Sequence, residues 1–270
     1  MERLLNLDRR IVYLFVFVSV TLALLIDFRL PVRATPNVRA VYDGIEALPE
    51  DSNILISFDF GPSTVTELGP MSRAVLHHCF RKNLRVIAVT LIPEGLGITQ
   101  NLLEEAAQEF GAEYGKDYVF LGYKAGNEAM ILNMGQDMRR AFDRDIRGNA
   151  LADMSATREI RSLRDLSYVV NLAAGYPGVE EWIQYGQERY DFPLGAGVTA
   201  VMAPDFFPFL QSGQLQGLLG GLAGAAEYEH LIDKPDKAIG GMRPQSVGHV
   251  VIIAFILFGN LAYFAGRSRQ

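Results

Sequence analysis

A small set of polar residues and glycines follows the apolar runs of this sequence, and these residue types could bind a ligand. Asp59 is the penultimate residue of the apolar run 53–60, which is followed at once by the turn-forming segment Gly61–Thr64. A carboxyl group in such a position can act as a general acid or base, and glycines with helix N-termini can cradle an anion. The candidate ligand-binding residues are Asp59, Ser63, Thr64, Lys124, Gly175 and Thr199.

The motifs around these residues do not identify a reaction. The GPST segment after Asp59 lacks the lysine and the spacing of a Walker loop. Gly95 and Gly97 form a G-x-G that no third glycine completes, and the sequence contains neither H-E-x-x-H nor G-x-S-x-G. Helix capping and turn geometry also explain most of the candidates. A ligand site and this purely structural alternative therefore both remain open.

The run His77-His78-Cys79 contains side chains that are common in nucleophilic and metal sites. It lies within a predicted helix, where adjacent residues point in different directions and cannot readily form one site. Cys79 is the only cysteine, which excludes an intrachain disulfide and a zinc cluster built from thiolates. We therefore predict a buried, structural Cys79, no catalytic residue and no metal site. The sequence identifies no cofactor.

Five apolar runs alternate with helical segments and must position the candidate residues. Each run is apolar on both faces, which is typical of strands in a parallel sheet covered on two sides. The predicted fold class is α/β, a Rossmann-like or flavodoxin-like doubly wound, mostly parallel sheet. Ligands bind such sheets beyond the carboxyl ends of the strands, where the candidates lie. The predicted strands are 53–60, 84–92, 118–123, 168–173 and 194–202.

Two segments of the predicted domain, which spans 51–235, do not fit this alternation. The segment near 137–165 is highly charged and is interpreted as an insertion, either a surface helix pair or a lid. The segment near 205–232 is uncharged over 206–226 and is predicted to form a glycine-rich helix, with a third membrane span as the alternative. Small residues at four-residue spacing allow close helix approach. The candidate partner-interface residues are Gly213, Gly217, Gly220, Gly221 and Gly224.

An apolar segment near each end of the chain predicts a transmembrane helix. The segments 11–30 and 247–265 approach the roughly 20 residues needed to cross a bilayer, and the first lacks a signal-peptide cleavage site. The remaining predicted parts are a tail at 1–10, linkers at 31–50 and 236–246, and a tail at 266–270. Two spans place both termini on one side of the membrane. Because Arg9 and Arg10 adjoin the first span, we expect cytoplasmic termini and a domain outside the cytoplasm.

Composition narrows the class of function. The chain has 270 residues and a formal net charge of −6, which argues against a nucleic-acid partner. Its mean hydropathy of +0.12 is high for a soluble protein of this length and is consistent with membrane segments.

Three hypotheses about function follow. The first is a non-catalytic subunit or scaffold of a membrane protein complex, in contact with the lipid bilayer and with other subunits or further copies of itself. It is favoured because two anchors accompany a domain without a reaction motif. The second is a tethered module that binds a small molecule or an anion at the carboxyl edge of the sheet. The third is an enzyme, a hydrolase or transferase with Asp59 as its acid–base group.

Overall fold

A computed structural model describes residues 8–26, 28 and 31–267 of the chain. Residues 1–7 and 268–270, which belong to the predicted tails, lie outside the described residues. The chain divides into two compact units. One unit comprises 1–31 with 239–270, and the other comprises 32–238.

The larger unit is built on one six-stranded sheet in which every neighbouring pair of strands is parallel. This confirms the predicted α/β class with a mostly parallel sheet. The strand order β3-β2-β1-β4-β5-β6 is Rossmann-like rather than flavodoxin-like, and the order reverses between β1 and β4. The strands are β1 (Asn53–Asp59), β2 (Arg85–Thr90), β3 (Tyr118–Tyr123), β4 (Tyr168–Ala173), β5 (Leu194–Val198) and β6 (Gly217–Gly220).

Helices cover both faces of the sheet and run back from its carboxyl edge. The short segments Val179–Glu181 and Glu188–Tyr190 are joined by a π-helical turn, Trp182–Gln187, so that one irregular helix follows β4. The helices of this unit are α2 (Pro36–Glu46), α3 (Val65–Arg81), α4 (Gly95–Phe110), α5 (Glu128–Gln136), α6 (Met138–Ala141), α7 (Val179–Glu181), α8 (Glu188–Tyr190), α9 (Phe207–Gln211) and α10 (Gly221–Leu231), with 3₁₀ turns at Pro62–Thr64, Leu163–Asp165 and Ala203–Phe206.

Helix α2 lies in the segment that the sequence suggested was a linker, so the linker prediction for 31–50 is wrong. Val38, Val41 and Ile45 are spaced by three and four residues and are buried, which gives this helix one apolar face. That face packs on β6, where a Cβ at Gly217 would lie only 2.6 Å from the carbonyl oxygen of Asn37. The domain therefore starts earlier than predicted, and its first helix covers its last strand.

The glycine-rich segment 205–232 is not one helix, which corrects the sequence prediction. It contains α9, the short strand β6 and then α10. Two glycines break it, because Gly213 and Gly221 have φ of +80° and +57°, conformations that a continuous helix does not contain. Since β6 is a strand of the sheet, the alternative of a third membrane span over 206–226 is also wrong.

The charged segment 137–165 does not form the surface helix pair that was one of its two predicted structures. It consists mostly of turns, with the four-residue α6 near its start and a 3₁₀ turn near its end. Phe142, Leu151 and Ile160 point into the hydrophobic core, where each is 1% exposed. Most of the charged residues between them face solvent, whereas Asp145 is only 6% exposed. The segment is therefore an irregular connection anchored mainly by its apolar side chains.

The smaller unit contains two helices, α1 (Arg9–Leu25) and α11 (Lys237–Arg267). The ring centroids of Phe15 and Phe255 are 5.6 Å apart, and a Cβ at Gly248 would lie 3.7 Å from Val20. These two contacts show that the helices pack antiparallel. Helix α11 begins at Lys237, so the predicted linker 236–246 is mostly helical. Within the described residues, one helical stretch, Lys237–Phe264, is long and apolar enough to cross a membrane.

Candidate functional site

The predicted ligand residues lie along the carboxyl edge of the sheet. Asp59 is the last residue of β1, Lys124 directly follows β3, and Thr199 directly follows β5. Ser63 and Thr64 form part of the 3₁₀ turn after β1, and Gly175 lies two residues beyond β4. This arrangement follows from the parallel sheet, which brings the ends of all its strands to one edge.

Asp59 is held inside the domain by four hydrogen bonds. Its Oδ1 accepts the backbone N–H of Leu91 at 2.7 Å. Its Oδ2 accepts the Ser57 hydroxyl at 2.7 Å, the Asn171 amide at 2.6 Å and the Trp182 indole N–H at 3.2 Å. Burial raises the pKa of Asp59 to about 6, and the four hydrogen bonds oppose this rise.

These partners make Asp59 a connector of the carboxyl edge. They come from β1, from the residue after β2, from β4 and from the π-helical turn. The side chain is 2% exposed, so it does not present an oxygen to a solvent-filled cleft. An acid–base role needs a carboxyl group within reach of a substrate proton. This geometry therefore removes the residue on which the enzyme hypothesis rested.

Lys124 is also engaged within the domain. Its Nζ donates a hydrogen bond to the carbonyl oxygen of Ala141 at 2.7 Å and lies 3.5 Å from Asp143 Oδ1. The ammonium group is 5.2 Å from the ring centroid of Phe142. These contacts fasten the segment after α6 to the end of β3. They use part of the hydrogen-bonding capacity of the ammonium group, and the side chain is 43% exposed.

The other candidates share the edge but do not converge on one centre. Ser63 and Gly175 are exposed, and Gly175 has a φ of +144° that favours glycine. The Thr64 hydroxyl donates to the carbonyl oxygen of Gly61 at 3.2 Å, and the buried Thr199 accepts the N–H of Met202 through its backbone carbonyl. Turn formation accounts for these contacts, and ligand binding by these residues stays a prediction.

Most of the predicted partner-interface glycines pack against the domain itself. A Cβ at Gly217 would meet the backbone of α2, and one at Gly220 would lie 3.0 Å from Ala203. Gly221 lies against Ala200 and Glu67, and Gly224 lies against Leu219. Gly213 occupies an exposed turn. Close packing of the domain's own elements accounts for Gly217, Gly220, Gly221 and Gly224. A partner interface at these glycines stays a prediction.

Sequence reasoning missed the acidity of the carboxyl edge. The segments that follow the six strands are 60–67, 91–96, 124–128, 174–181, 199–207 and 221–224, and together they contain six acidic residues and one basic residue, Lys124. Acidic residues are favoured at helix N-termini, which is a signal that the sequence did offer. The acidic residues are Glu67, Glu94, Glu128, Glu180, Glu181 and Asp205. Their charge disfavours an anionic ligand at this edge.

A second feature that the sequence did not reveal links the loops at this edge. The hydroxyl of Tyr176, after β4, donates a hydrogen bond to the carboxylate of Glu128, after β3. Asn127 also donates to the Tyr176 oxygen at 3.4 Å. Because β2 and β1 lie between β3 and β4, this contact spans the ends of two strands. The loop after β3 and the loop after β4 are therefore linked to each other by hydrogen bonds.

His78 forms a buried network at the opposite edge. Its Nε2 is 2.7 Å from Glu46 Oε2, its Nδ1 is 2.6 Å from the Tyr228 hydroxyl, and its ring stacks on Tyr42 with centroids 4.7 Å apart. Burial lowers the pKa of His78 to about 4, although the Glu46 carboxylate opposes this change. A neutral ring that donates from Nε2 and accepts at Nδ1 satisfies both partners. The network joins α2, α3 and α10.

Comparison with known proteins gives one likeness. No family model matches the sequence, and no curated protein matches it. Among solved structures, the chain is similar to the C-terminal domain of a glycosyl transferase group 1 family protein from Francisella tularensis, with 12% identity and a TM-score of 0.34. The match covers 83% of this chain and 94% of that domain. A likeness of this degree carries no information about activity.

Proposed function

We propose that this protein is a membrane-anchored, non-catalytic subunit of a membrane protein complex. The observation that carries the proposal is the internal bonding at the carboxyl edge. Asp59 and Lys124, the ionisable residues best placed to act on a ligand, are both held by partners within the domain. A parallel α/β sheet whose edge is bonded in this way suits a rigid structural role more than chemistry.

Two membrane spans are the second part of the proposal. Helix α1 has 17 residues and spans about 25 Å at 1.5 Å per residue, and the uncharged run continues to Ile26. Its apolar side chains are largely exposed, as are those of α11; Tyr13 is 68% exposed and Leu261 is 68% exposed. Antiparallel packing of α1 and α11 supports a two-pass hairpin, because it places both termini at the same end.

The proposed orientation has cytoplasmic termini and the domain outside the cytoplasm. A Glu50→Cys variant should react with a membrane-impermeant maleimide in intact cells, because Glu50 is exposed on the domain. The native chain is the negative control and should not be labelled. Its single cysteine, Cys79, is buried, and burial raises the pKa of its thiol. Labelling of Glu50→Cys only after the cells are permeabilised would reverse the orientation.

The charge at the carboxyl edge disfavours an anionic ligand for the alternative function, a tethered binding module. The six carboxyl groups at the carboxyl edge outnumber its one lysine and repel an anion, and the lysine already has partners. Glycine loops at this edge still favour close approach by a neutral molecule. A small mass that stays bound to the isolated chain would support this alternative.

Native mass spectrometry of the chain extracted in mild detergent from its own host tests the proposed function. We expect other protein subunits to leave the membrane with it in a constant ratio. The chain is recovered through an affinity tag, and an extract from cells whose chain is untagged is the control for non-specific recovery. Recovery of a bare chain from its native membrane would contradict the proposal.

A further inference from the structure

The loops after β4 and β5 present large apolar side chains to solvent. Val201 is 86% exposed, Tyr176 is 66% exposed and Phe207 is 45% exposed. Ala173 of β4 is paired with Val198 of β5, so Tyr176 and Val201 each lie three residues beyond a matched pair. We refer to Tyr176, Val201 and Phe207 as the β4–β5 loop surface. Single exposed apolar residues are ordinary, but a group of them in neighbouring loops marks an interaction site.

Hydrogen bonds hold these loops in position. The N–H of Ala200 donates to Glu67 Oε2 at 2.9 Å, and the N–H groups of Met202 and Ala203 donate to the Thr199 carbonyl. The Tyr176 hydroxyl is bonded to Glu128. Val201 and Tyr176 therefore protrude from loops that are tied down on each side. A surface prepared in this way loses little conformational entropy when a partner binds.

Acidic residues flank the β4–β5 loop surface along the chain or contact its loops. Glu180 lies four residues after Tyr176, and Asp205 lies between Val201 and Phe207; both carboxyl side chains are exposed. Glu67 and Glu128 contact these same loops. Lys124, the one basic residue of this edge, is paired with Asp143. The field at this surface favours positive charge.

We propose that the β4–β5 loop surface binds a basic segment of another subunit, with an apolar residue of that segment seated between Tyr176 and Val201. This inference rests on the proposed function and adds the surface and the chemistry of the partner. Charge complementarity selects this occupant: anionic lipid headgroups and a second copy of this acidic surface are both repelled. The apolar contacts supply affinity, and the charges supply orientation and rate of association.

Site-specific photo-crosslinking in the host membrane tests the inference. A photoreactive amino acid at Val201 should crosslink to one peptide of a different protein, and mass spectrometry should show that this peptide carries a net positive charge. The same photoreactive residue at Glu50, which is exposed elsewhere on the domain, is the matched control. Attachment to lipid, to a second copy of the chain or to an acidic peptide, or no crosslink at Val201, would overturn the inference.

Charge reversal provides a second, independent readout. The Glu180→Lys/Asp205→Lys double variant should lower the yield of the Val201 crosslink by about tenfold or more at low salt. The Glu50→Lys/Asp153→Lys variant changes the net charge equally at exposed positions that lie outside the carboxyl-edge segments, and should leave the yield within about twofold. Equal yields from both variants would overturn the role of the acidic side chains.

The two experiments separate the inference from the proposed function. If native mass spectrometry shows other subunits but Val201 gives no crosslink, the proposed role of the β4–β5 loop surface is overturned and the membrane complex stands. A bare chain in native mass spectrometry would remove the complex itself, and the surface with it.

Discussion

Replacement of Asp59 by alanine should destabilise the domain by about 3 kcal/mol at pH 7. The variant leaves the Leu91 N–H, the Trp182 indole N–H and the Asn171 amide buried without an acceptor, at about 1–3 kcal/mol each. Relief of a buried carboxylate offsets part of this loss, because the pKa of Asp59 lies near 6 rather than at its usual 3.8. The expected loss of about 3 kcal/mol is the cost of the three unsatisfied donors minus the gain from removal of the buried carboxylate.

Trp182 makes this measurement direct. It is the only tryptophan of the chain, it is fully buried, and it donates to Asp59. Denaturation of the full chain in detergent, followed by tryptophan fluorescence, therefore reports on the carboxyl edge itself. Asp59→Asn is the matched variant: it keeps one oxygen acceptor and the size of the side chain, so it should lose less stability than Asp59→Ala. Equal stability of Asp59→Ala and the native chain would show that this connector is dispensable.

Stability should rise by up to about 3 kcal/mol between pH 4 and pH 6.5 once Asp59 no longer titrates. His78 has a pKa of about 4 in the folded domain and an ordinary value of 6.5, so its contribution is present above pH 6.5 and is lost as the pH falls through 4. Asp59 acts in the opposite sense. Its raised pKa gives a contribution that is present below pH 3.8 and is lost as the pH rises through about 6.

These two groups nearly cancel in the native chain, so the effect of His78 is best measured in the Asp59→Asn variant. Its midpoint of denaturation should increase steeply from pH 4 to pH 6.5. The Asp59→Asn/His78→Gln double variant lacks the titrating ring and should show a much shallower increase. Parallel pH profiles of the single and double variants would mean that His78 keeps an ordinary pKa in the folded domain.

The regular part of the fold could be predicted because its signals are local. Five strands are apolar runs, and their alternation with helices indicates a parallel sheet. Strand β6 could not be found in this way. Its sequence, Gly217–Gly220, has only four residues and two glycines. It forms a strand because it pairs with β5 and packs closely against the backbone of α2.

The candidate site was predicted in its location but not in its bonding. Parallel topology places Asp59 at the carboxyl edge, and that inference needs only the end of one strand. Its partners Asn171 and Trp182 lie 112 and 123 residues away along the chain. No local pattern couples residues so far apart, so a carboxyl group free to bind a ligand and one saturated by the fold look alike in the sequence.

The packing of α2 on β6 has a consequence for the synthesis of this protein. Val38, Val41 and Ile45 belong to the first helix of the domain to emerge from the ribosome, yet the strand that covers them is the last of the sheet. Their apolar face stays uncovered until almost the whole domain has been made, because a contact between distant segments forms late. Only Ile232–Asp236 then separate the end of α10 from α11. In the proposed two-span topology, we therefore expect completion of the sheet to coincide with membrane insertion of α11, so that folding and insertion are coupled in time.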